Sequence, residues 1–199
     1  MNALTLPRHP RHGPKAVAPV PDMALARGRV HELCGPARRS AALWLAGAMT
    51  GPVLWITPAR NGDRLSPCGM AGWADPGRFL FADPRRDEDV LWCMEEALRS
   101  TVVPLVVADL PRPPGLTPVR RLHLAAETAG MAPLGLILTP GDGGAPGVES
   151  RWHMAPAHGA DGPAWRLERR RARTLPPKAW QMRCQDGRLS AGPAAPPQG

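Results

Sequence analysis

Between Arg27 and Ala42 the chain has the outline of a phosphate-binding loop without the residues that make such a loop work. A working loop follows Gly-x-x-x-x-Gly-Lys-Ser/Thr: backbone N–H groups surround a phosphate, the lysine neutralises it and the hydroxyl ligates Mg²⁺. Gly35 matches the first glycine, but Ser40 stands at the second, and Ala41 stands where the lysine is needed. An alanine side chain neither neutralises a phosphate nor ligates a metal. The degenerate nucleotide loop comprises Gly35, Pro36, Ser40, Ala41 and Ala42.

The acidic groups of a hydrolytic site are also incomplete. Asp109 ends the apolar segment LVVAD, where a P-loop ATPase keeps the acid that supports Mg²⁺. Because the loop offers neither a lysine nor a hydroxyl, we expect Asp109 to cap or hydrogen-bond a neighbouring turn instead. The carboxylate that polarises water should follow the segment PVLWIT, yet Pro58, Ala59 and Arg60 stand there. The sequence therefore predicts no catalytic residue and no cofactor, and a function in binding.

Cysteines and histidines add no second candidate for catalysis or metal binding. The four cysteines form no C-x-x-C pair and the six histidines lack metal-ligand spacing. His31 lies in a strand-like segment, and His123 flanks the apolar face of a helical one. We therefore expect partly buried, structural histidines, reduced cysteines and no metal site.

Two predicted helices carry unusual outward-facing residues. On the segment Asp87 to Ser100, the apolar residues gather on one face at about 100° per residue, and Trp92 points nearly the opposite way. An exposed tryptophan is typical of a binding hot spot for a protein partner; the alternative is packing against a neighbouring helix of the same domain. The candidate partner-binding residues are Trp92, Glu96, Arg99, Arg120, Arg121 and Leu124.

The densest basic segment is WRLERRRAR, residues 165–173. Trp165 and Leu167 alternate with charged residues, as in a strand with one buried face. Such a ribbon could follow a phosphate backbone, with Trp152 or Trp180 available for stacking on bases. The alternative is a solvated edge that prevents aggregation. The candidate nucleic-acid-binding residues are Arg166, Arg169, Arg170, Arg171 and Arg173.

The composition favours an acidic partner. A net charge of +8 and a pI near 10.8 attract either nucleic acid or the acidic face of a protein, although arginine-rich coding produces the same bias. The longest apolar run, Ala41 to Met49, is too short for a membrane span, and the first residues are not a signal-type segment. We expect a cytoplasmic protein without a membrane partner.

The remaining sequence alternates strand and helix signals. Apolar runs predict strands at 29–34, 52–57, 78–82, 103–108 and 134–138, and helical periodicity predicts helices at 37–49, 87–100 and 116–130. Asp87 is suited to cap the second of these helices. This order indicates an α/β core with a mostly parallel sheet covered on both faces. Strands at 151–156, 165–169 and 179–183, without helices between them, predict a C-terminal antiparallel β extension.

We predict four regions along the chain. Residues 1–26 form a flexible basic arm rich in proline, and residues 27–150 form the α/β core with the degenerate loop. Residues 151–185 form the β extension, and residues 186–199 form a disordered tail of Pro, Gly and Ala.

The motifs taken in order resemble the ImuA family, the RecA-like components of bacterial damage-induced mutagenesis cassettes. The resemblance rests on GRVHELCG, GPVLWI, LSPCGMAGWADPGRFLFA, DVLWCMEEALRS, VVADL, RRLHLAAETAG, SRWHMAP and WRLERRRARTLPPKAW, and runs from about Gly28 to Arg183. The spacing of LW-x-x-EEALR and RRL-x-LAAE-x-x-G is not that of a generic ATPase.

The resemblance implies a RecA-like three-layer core and an adaptor role in SOS-induced translesion DNA synthesis. Its implied partners are ImuB, an inactive Y-family polymerase homologue, together with RecA and an error-prone C-family polymerase; direct contact with DNA stays open. The segment between Thr139 and Ser150 is short, and the corresponding loop of RecA touches DNA, which argues against DNA binding in the manner of a filament. Two alternatives stay open: a division inhibitor of the SulA type that binds FtsZ, and an independent binder of single-stranded DNA.

Overall fold

The computed structural model describes residues 16–20, 22–61, 64–160, 162–185 and 187–194. The strands are β1 (Ala16–Val17), β2 (Leu25–Ala26), β3 (Arg29–Cys34), β4 (Val53–Ile56), β5 (Phe79–Ala82), β6 (Leu105–Asp109), β7 (Leu134–Thr139), β8 (Ser150–Pro156), β9 (Ala164–Ala172), β10 (Lys178–Gln185) and β11 (Arg188–Pro193). The helices are α1 (Arg38–Gly47), α2 (Pro67–Met70), α3 (Asp87–Arg99) and α4 (Leu116–Thr128).

One nine-stranded sheet, in the order β11-β10-β9-β8-β3-β7-β6-β4-β5, organises the described residues. Neighbouring strands from β8 to β5 in that order run parallel, and β8, β9, β10 and β11 pair antiparallel. The predicted α/β class with an antiparallel extension is confirmed. The predicted ends of these elements differ from the observed ones by at most three residues, at the end of β9, where Arg169 was expected and Ala172 is observed.

The helices cover the two faces of the parallel strands, which makes three layers. On one face α1 packs in a core cluster with the inward-facing residues of β8, β9 and β10. On the other face α3 and α4 pack against β4, β6 and β7 in a second cluster. The central parallel strands β6 and β7 are buried on both faces, which is why they are almost continuously apolar in sequence.

A tryptophan cluster joins the β extension to α1. The rings of Trp44 in α1 and Trp165 in β9 lie edge to face with centroids 5.1 Å apart, and Trp73 packs against both at 5.8 Å. Gly47, the last residue of α1, admits this packing, because a Cβ there would lie 2.1 Å from the Trp73 carbonyl oxygen. Core and extension therefore share one hydrophobic cluster.

The last part of the predicted N-terminal arm is structured, and the prediction of flexibility was wrong there. Residues 1–15 and 21 lie outside the described residues. Strands β1 and β2 pair antiparallel, and Val17, Val20, Met23 and Leu25 are buried in the α1 cluster. The prolines that argued against regular structure do not interrupt these two-residue strands, and burial of the four apolar side chains favours the ordered chain.

The predicted tail and the predicted helix cap also differ from the structure. Strand β11 pairs with β10 over residues 188–193, and Leu189 and Ala191 pack against the core, because alternate apolar residues give it one buried face. Residues 186 and 195–199 lie outside the described residues. Asp87 is the first residue of α3 and not its N-cap; Arg86 precedes it, and the Asp87 carboxylate pairs with Arg60 at 2.5 Å.

A buried hydrogen-bond chain surrounds His31 where β2, β3 and β8 meet. His31 Nε2–H donates to the Ala26 carbonyl oxygen at 3.0 Å, and Nδ1 accepts from the Ser150 hydroxyl at 2.7 Å. The same hydroxyl accepts from the Trp152 indole N–H at 2.7 Å. Burial lowers the pKa of His31 to about 4. The histidine is thus neutral and structural, as expected, and it has no free position for proton transfer.

We predict that the free energy of unfolding falls as the pH is lowered from 6.5 to 5, because His31 becomes protonated in the unfolded chain but stays neutral in the folded one. The pKa of His31 is depressed to about 4, so its contribution is complete above pH 6.5 and declines as the pH falls. Its loss over this interval is about 2 kcal/mol. Burial lowers the pKa of His123 and His153 too, with the same sign.

Urea unfolding at pH 7.5, 6 and 5 measures this dependence, with His31→Gln as the matched variant. The variant should be less stable than the wild type at pH 7.5, but its free energy of unfolding should decline much less as the pH falls. An equally steep decline in both proteins would contradict the assignment to His31.

Candidate functional site

The degenerate loop is closed against strand β8. Three residues separate Cys34, the end of β3, from Arg38, the start of α1. Gly35 adopts a positive φ of 89°, and a Cβ there would lie 2.5 Å from the Met154 carbonyl oxygen. The Ala37 N–H donates to that same oxygen at 3.0 Å. The backbone of this loop thus packs against a neighbouring strand. In a phosphate-binding loop, the backbone would instead surround the ligand.

The two alanines of the loop pattern lie inside the core. Ala41 and Ala42 are the fourth and fifth residues of α1, and both are fully buried in the α1 cluster. Helix α1 therefore begins before the positions that carry the lysine and the hydroxyl in a working loop. A polar side chain at either position would enter apolar packing and would not reach a phosphate.

The carboxylate of Asp109 is neutralised by two arginines of α1. Asp109 ends β6 and is buried; its Oδ2 accepts from Arg39 Nε at 2.6 Å, and its Oδ1 from Arg38 at 3.5 Å. We expected Asp109 to hydrogen-bond a neighbouring turn, and this was wrong. Its partners are instead the two guanidinium groups from the first turn of α1. Sequence reasoning missed these arginines, because it compared the loop only with the lysine and hydroxyl positions.

These residues do not fit a magnesium nucleotide. The acid that would support the metal is held by guanidinium groups, the lysine and hydroxyl positions are buried alanines, and the loop is packed on β8. Cys34 is no nucleophile, because burial raises the pKa of its thiol to about 12. Within the described ranges no three His, Cys, Asp or Glu side chains gather as a metal site would require.

Glu32 is a second buried acid, and sequence reasoning did not single it out. Its carboxylate accepts from the Thr139 hydroxyl at 2.7 Å, from the Gly144 N–H at 2.9 Å and from the Ala145 N–H at 3.1 Å. Arg151 Nε donates to the same carboxylate at 2.5 Å. The short segment between β7 and β8 is thereby fixed to β3. The signal in the sequence was a carboxylate between His31 and Leu33 in the middle of the central strand β3.

The candidate partner-binding residues lie on the two packed helices α3 and α4. Trp92 is 59% exposed and Leu124 is 62% exposed, so Trp92 does not pack against a neighbouring helix. Glu95 of α3 pairs with Arg121 of α4 at 2.7 Å and, within α3, with Arg99 at 2.7 Å. The Glu95–Arg121 pair joins the two helices, and we call their exposed candidate residues the two-helix surface. The other candidates, Glu96 and Arg120, are also exposed.

The basic ribbon is not a single open strip. Arg169 is 7% exposed, and its guanidinium lies 5.6 Å and 5.2 Å from the ring centroids of Trp152 and Trp180. Both rings are buried, so the expectation that they could stack on bases was wrong. They are core residues, because β8, β9 and β10 turn the same face toward α1.

The other arginines of the ribbon divide into two groups. Arg166 and Arg170 pair with Glu168 at 2.7 Å and 3.0 Å, and Arg170 also pairs with Asp142 at 2.7 Å. Arg171 and Arg173 are exposed. The alternation of Trp165 and Leu167 with Arg166 and Glu168 is as predicted, but a β-bulge near Arg151 shifts the phase beyond Arg169.

Comparison with known proteins identifies two relatives. No family model matches the chain. Two curated proteins, both named Protein ImuA and from two strains of Caulobacter vibrioides, are each 34% identical to it over 154 residues. The matched region covers 68% of this chain and 62% of each relative, so the chain spans less than two thirds of the length of the curated relatives it matches. None of the described helices has the length and apolar character to cross a membrane.

We predict that Asp109→Asn lowers the free energy of unfolding by about 3 kcal/mol, because it leaves two largely buried guanidinium groups without their anion. Urea unfolding measures the change. Asp142→Asn is the matched control, since it removes a carboxylate that is 86% exposed and paired with Arg170; it should leave the free energy of unfolding nearly unchanged. Equal effects of the two substitutions would contradict the role of the Asp109 clamp.

We predict that Glu32→Gln lowers the free energy of unfolding by about 3 kcal/mol and opens the segment between β7 and β8 locally. The neutral amide cannot accept hydrogen bonds from both Arg151 and the backbone N–H groups. Native-state hydrogen exchange at Gly144 and Ala145 reports the opening. The control Glu96→Gln changes an exposed carboxylate and should leave both amides protected. Unchanged protection in Glu32→Gln would show that the carboxylate does not hold the segment.

Proposed function

The chain belongs to the ImuA family, and on this premise we propose that it is a noncatalytic RecA-like adaptor in SOS-induced, error-prone translesion DNA synthesis. In this proposal its partners are an inactive Y-family polymerase homologue of the ImuB type, RecA and an error-prone C-family polymerase. The single observation that carries the noncatalytic part is the pairing of Asp109 with Arg38 and Arg39.

The chemistry of that ion pair supports binding without turnover. Phosphoryl transfer depends on positive charge placed around the transferred phosphate and on a metal held by an acid. In this chain the arginines and the acid of the site satisfy each other, and Ala41 and Ala42 supply no polar group. Opening the site to a nucleotide would leave Asp109, or its arginines, unpaired in a buried environment, at a cost of several kcal/mol.

The surface on α3 and α4 supports the adaptor role. Trp92 and Leu124 expose large apolar side chains on helices that pack in one buried cluster and are linked by the Glu95–Arg121 ion pair. Protein interfaces concentrate their binding energy in a few tryptophan, tyrosine and arginine residues surrounded by polar groups. This two-helix surface combines these residue types in a rigid arrangement, so its ordering cost on binding is small.

The β extension is unsuitable for a truncation experiment. Strand β8 pairs with β3 in the middle of the sheet, and Trp152, Trp165 and Trp180 belong to the α1 cluster. Removal of residues 151–199 would expose that cluster and unfold the protein. Point substitutions of exposed residues test the interface without this ambiguity.

We predict that the purified chain retains the ImuB-type homologue or RecA in a nuclease-treated pull-down, and that Trp92→Ala weakens this retention at least tenfold, because it removes an exposed aromatic anchor. Leu80→Ala is the matched control, because Leu80 is 54% exposed on the edge strand β5 and belongs to neither α3 nor α4; it should leave the retention unchanged. Circular dichroism should show both variants folded.

Three outcomes would contradict the proposal. Failure of the folded wild type to retain any of the partners would oppose the adaptor role, and filamentous cells on overproduction without DNA damage would favour a division inhibitor. Phosphate release from ATP that disappears in Asp109→Asn would oppose the noncatalytic part.

A further inference from the structure

An open, arginine-lined cleft of about 700 Å³ lies at the carboxyl ends of β4, β5 and β6. Its walls come from three segments: the residue Arg60 after β4, the start of α3 after β5, and residues 110–115 between β6 and α4. Ligands of open α/β sheets bind at the carboxyl ends of the strands. Leu110 lines the cleft, whereas Asp109 and residues 35–42 do not, so the cleft is separate from the degenerate loop.

Four arginines line this cleft, and three of them have no ion pair within the described residues. Arg60 pairs with Asp87, whereas Arg85, Arg86 and Arg112 are exposed without an acidic partner. Surface arginines nearby are neutralised: Arg64 by Asp83 and Arg121 by Glu95. Unpaired positive charge is thus concentrated where three chain segments converge.

The wall that carries Arg112 is rigid. Arg112 stands between Pro111 and Pro113, and Pro114 follows, so ring closure restricts φ at three of the four residues 111–114. Leu91 and Leu110 add apolar surface to the lining. The prolines restrict the backbone that carries Arg112, so little backbone entropy is lost when a ligand binds, and the prolines and leucines offer contact area for the uncharged parts of a ligand.

We propose that this cleft binds the phosphate backbone of single-stranded nucleic acid. Guanidinium groups bind phosphates through two parallel hydrogen bonds, and separate arginines along an open groove match the repeated charges of a polynucleotide. Asp87 and Glu88 also line the cleft and limit its net charge, which suits a weak and salt-sensitive contact. The inference rests on the proposed function, because that function places the chain at damaged DNA. It assigns the nucleic-acid contact to this cleft and not to the basic ribbon predicted on β9.

Fluorescence anisotropy of a labelled 20-residue oligothymidylate tests the cleft in the full chain. The variant Arg85→Ala, Arg86→Ala, Arg112→Ala should lose at least tenfold in affinity at 0.1 M salt. It should also reduce the slope of log K against log[salt] by about 2, since each phosphate contact of a single strand contributes roughly 0.7. All three side chains are exposed and unpaired, so the variant should unfold at the same temperature as the wild type.

The matched control removes three other exposed cations on β10 and β11, at the edge of the sheet opposite β5: Lys178→Ala, Arg183→Ala, Arg188→Ala. Its affinity should stay within about threefold of the wild type. Equal losses in both triple variants, or no binding by the wild type, would overturn the proposal. Tighter binding of a polyglutamate peptide of matched length would also overturn it and assign the cleft to an acidic protein segment. Partner retention in the pull-down does not depend on these outcomes, so the adaptor proposal and the cleft can fail separately.

Discussion

The carboxylate of Glu32 is the interaction on which the two halves of the sheet depend. It lies on β3, between β7 and β8, and accepts hydrogen bonds from Thr139, from two backbone N–H groups of the segment that connects these strands, and from Arg151. A buried carboxylate without such partners costs several kcal/mol. The parallel core, the connecting segment and the antiparallel extension are therefore stable only together, and the extension is part of the same folding unit as the core.

The same physical rule applies to Asp109 at the end of β6. Asp109 is as buried as Glu32, and its partners Arg38 and Arg39 come from the helix that follows the loop. In both places a buried carboxylate is neutralised by arginine side chains of the same chain, so neither carboxylate is available to a bound ligand. The positive charge that remains for partners lies on the surface, and part of it collects in the cleft beside β6.

Helix α3 is the element that connects the two candidate surfaces. Its first turn lines the arginine cleft, and its middle exposes Trp92 to solvent. Because α3 is packed through Val90, Met94 and Leu98 against the sheet, both surfaces are held by one rigid helix. In an adaptor, such an arrangement would place a protein partner and a nucleic-acid strand at a set distance from each other.

The order of strands and helices and the parallel core with its antiparallel extension could be predicted from the sequence alone. These features depend on local periodicity and on residue type, which are visible in short windows of sequence. The exposure of Trp92 followed from the same helical periodicity. Three features follow from the tertiary structure and not from the sequence pattern. They are the pairing of Glu32 with Arg151, which are 119 positions apart, the closure of Asp109 by Arg38 and Arg39, and the burial of Arg169 against two stacked tryptophans. The tertiary structure also ordered the segments that proline content had marked as flexible. The physical reason is that a charged or apolar side chain finds its partner through strand register and packing between distant segments, and neither is encoded in local spacing.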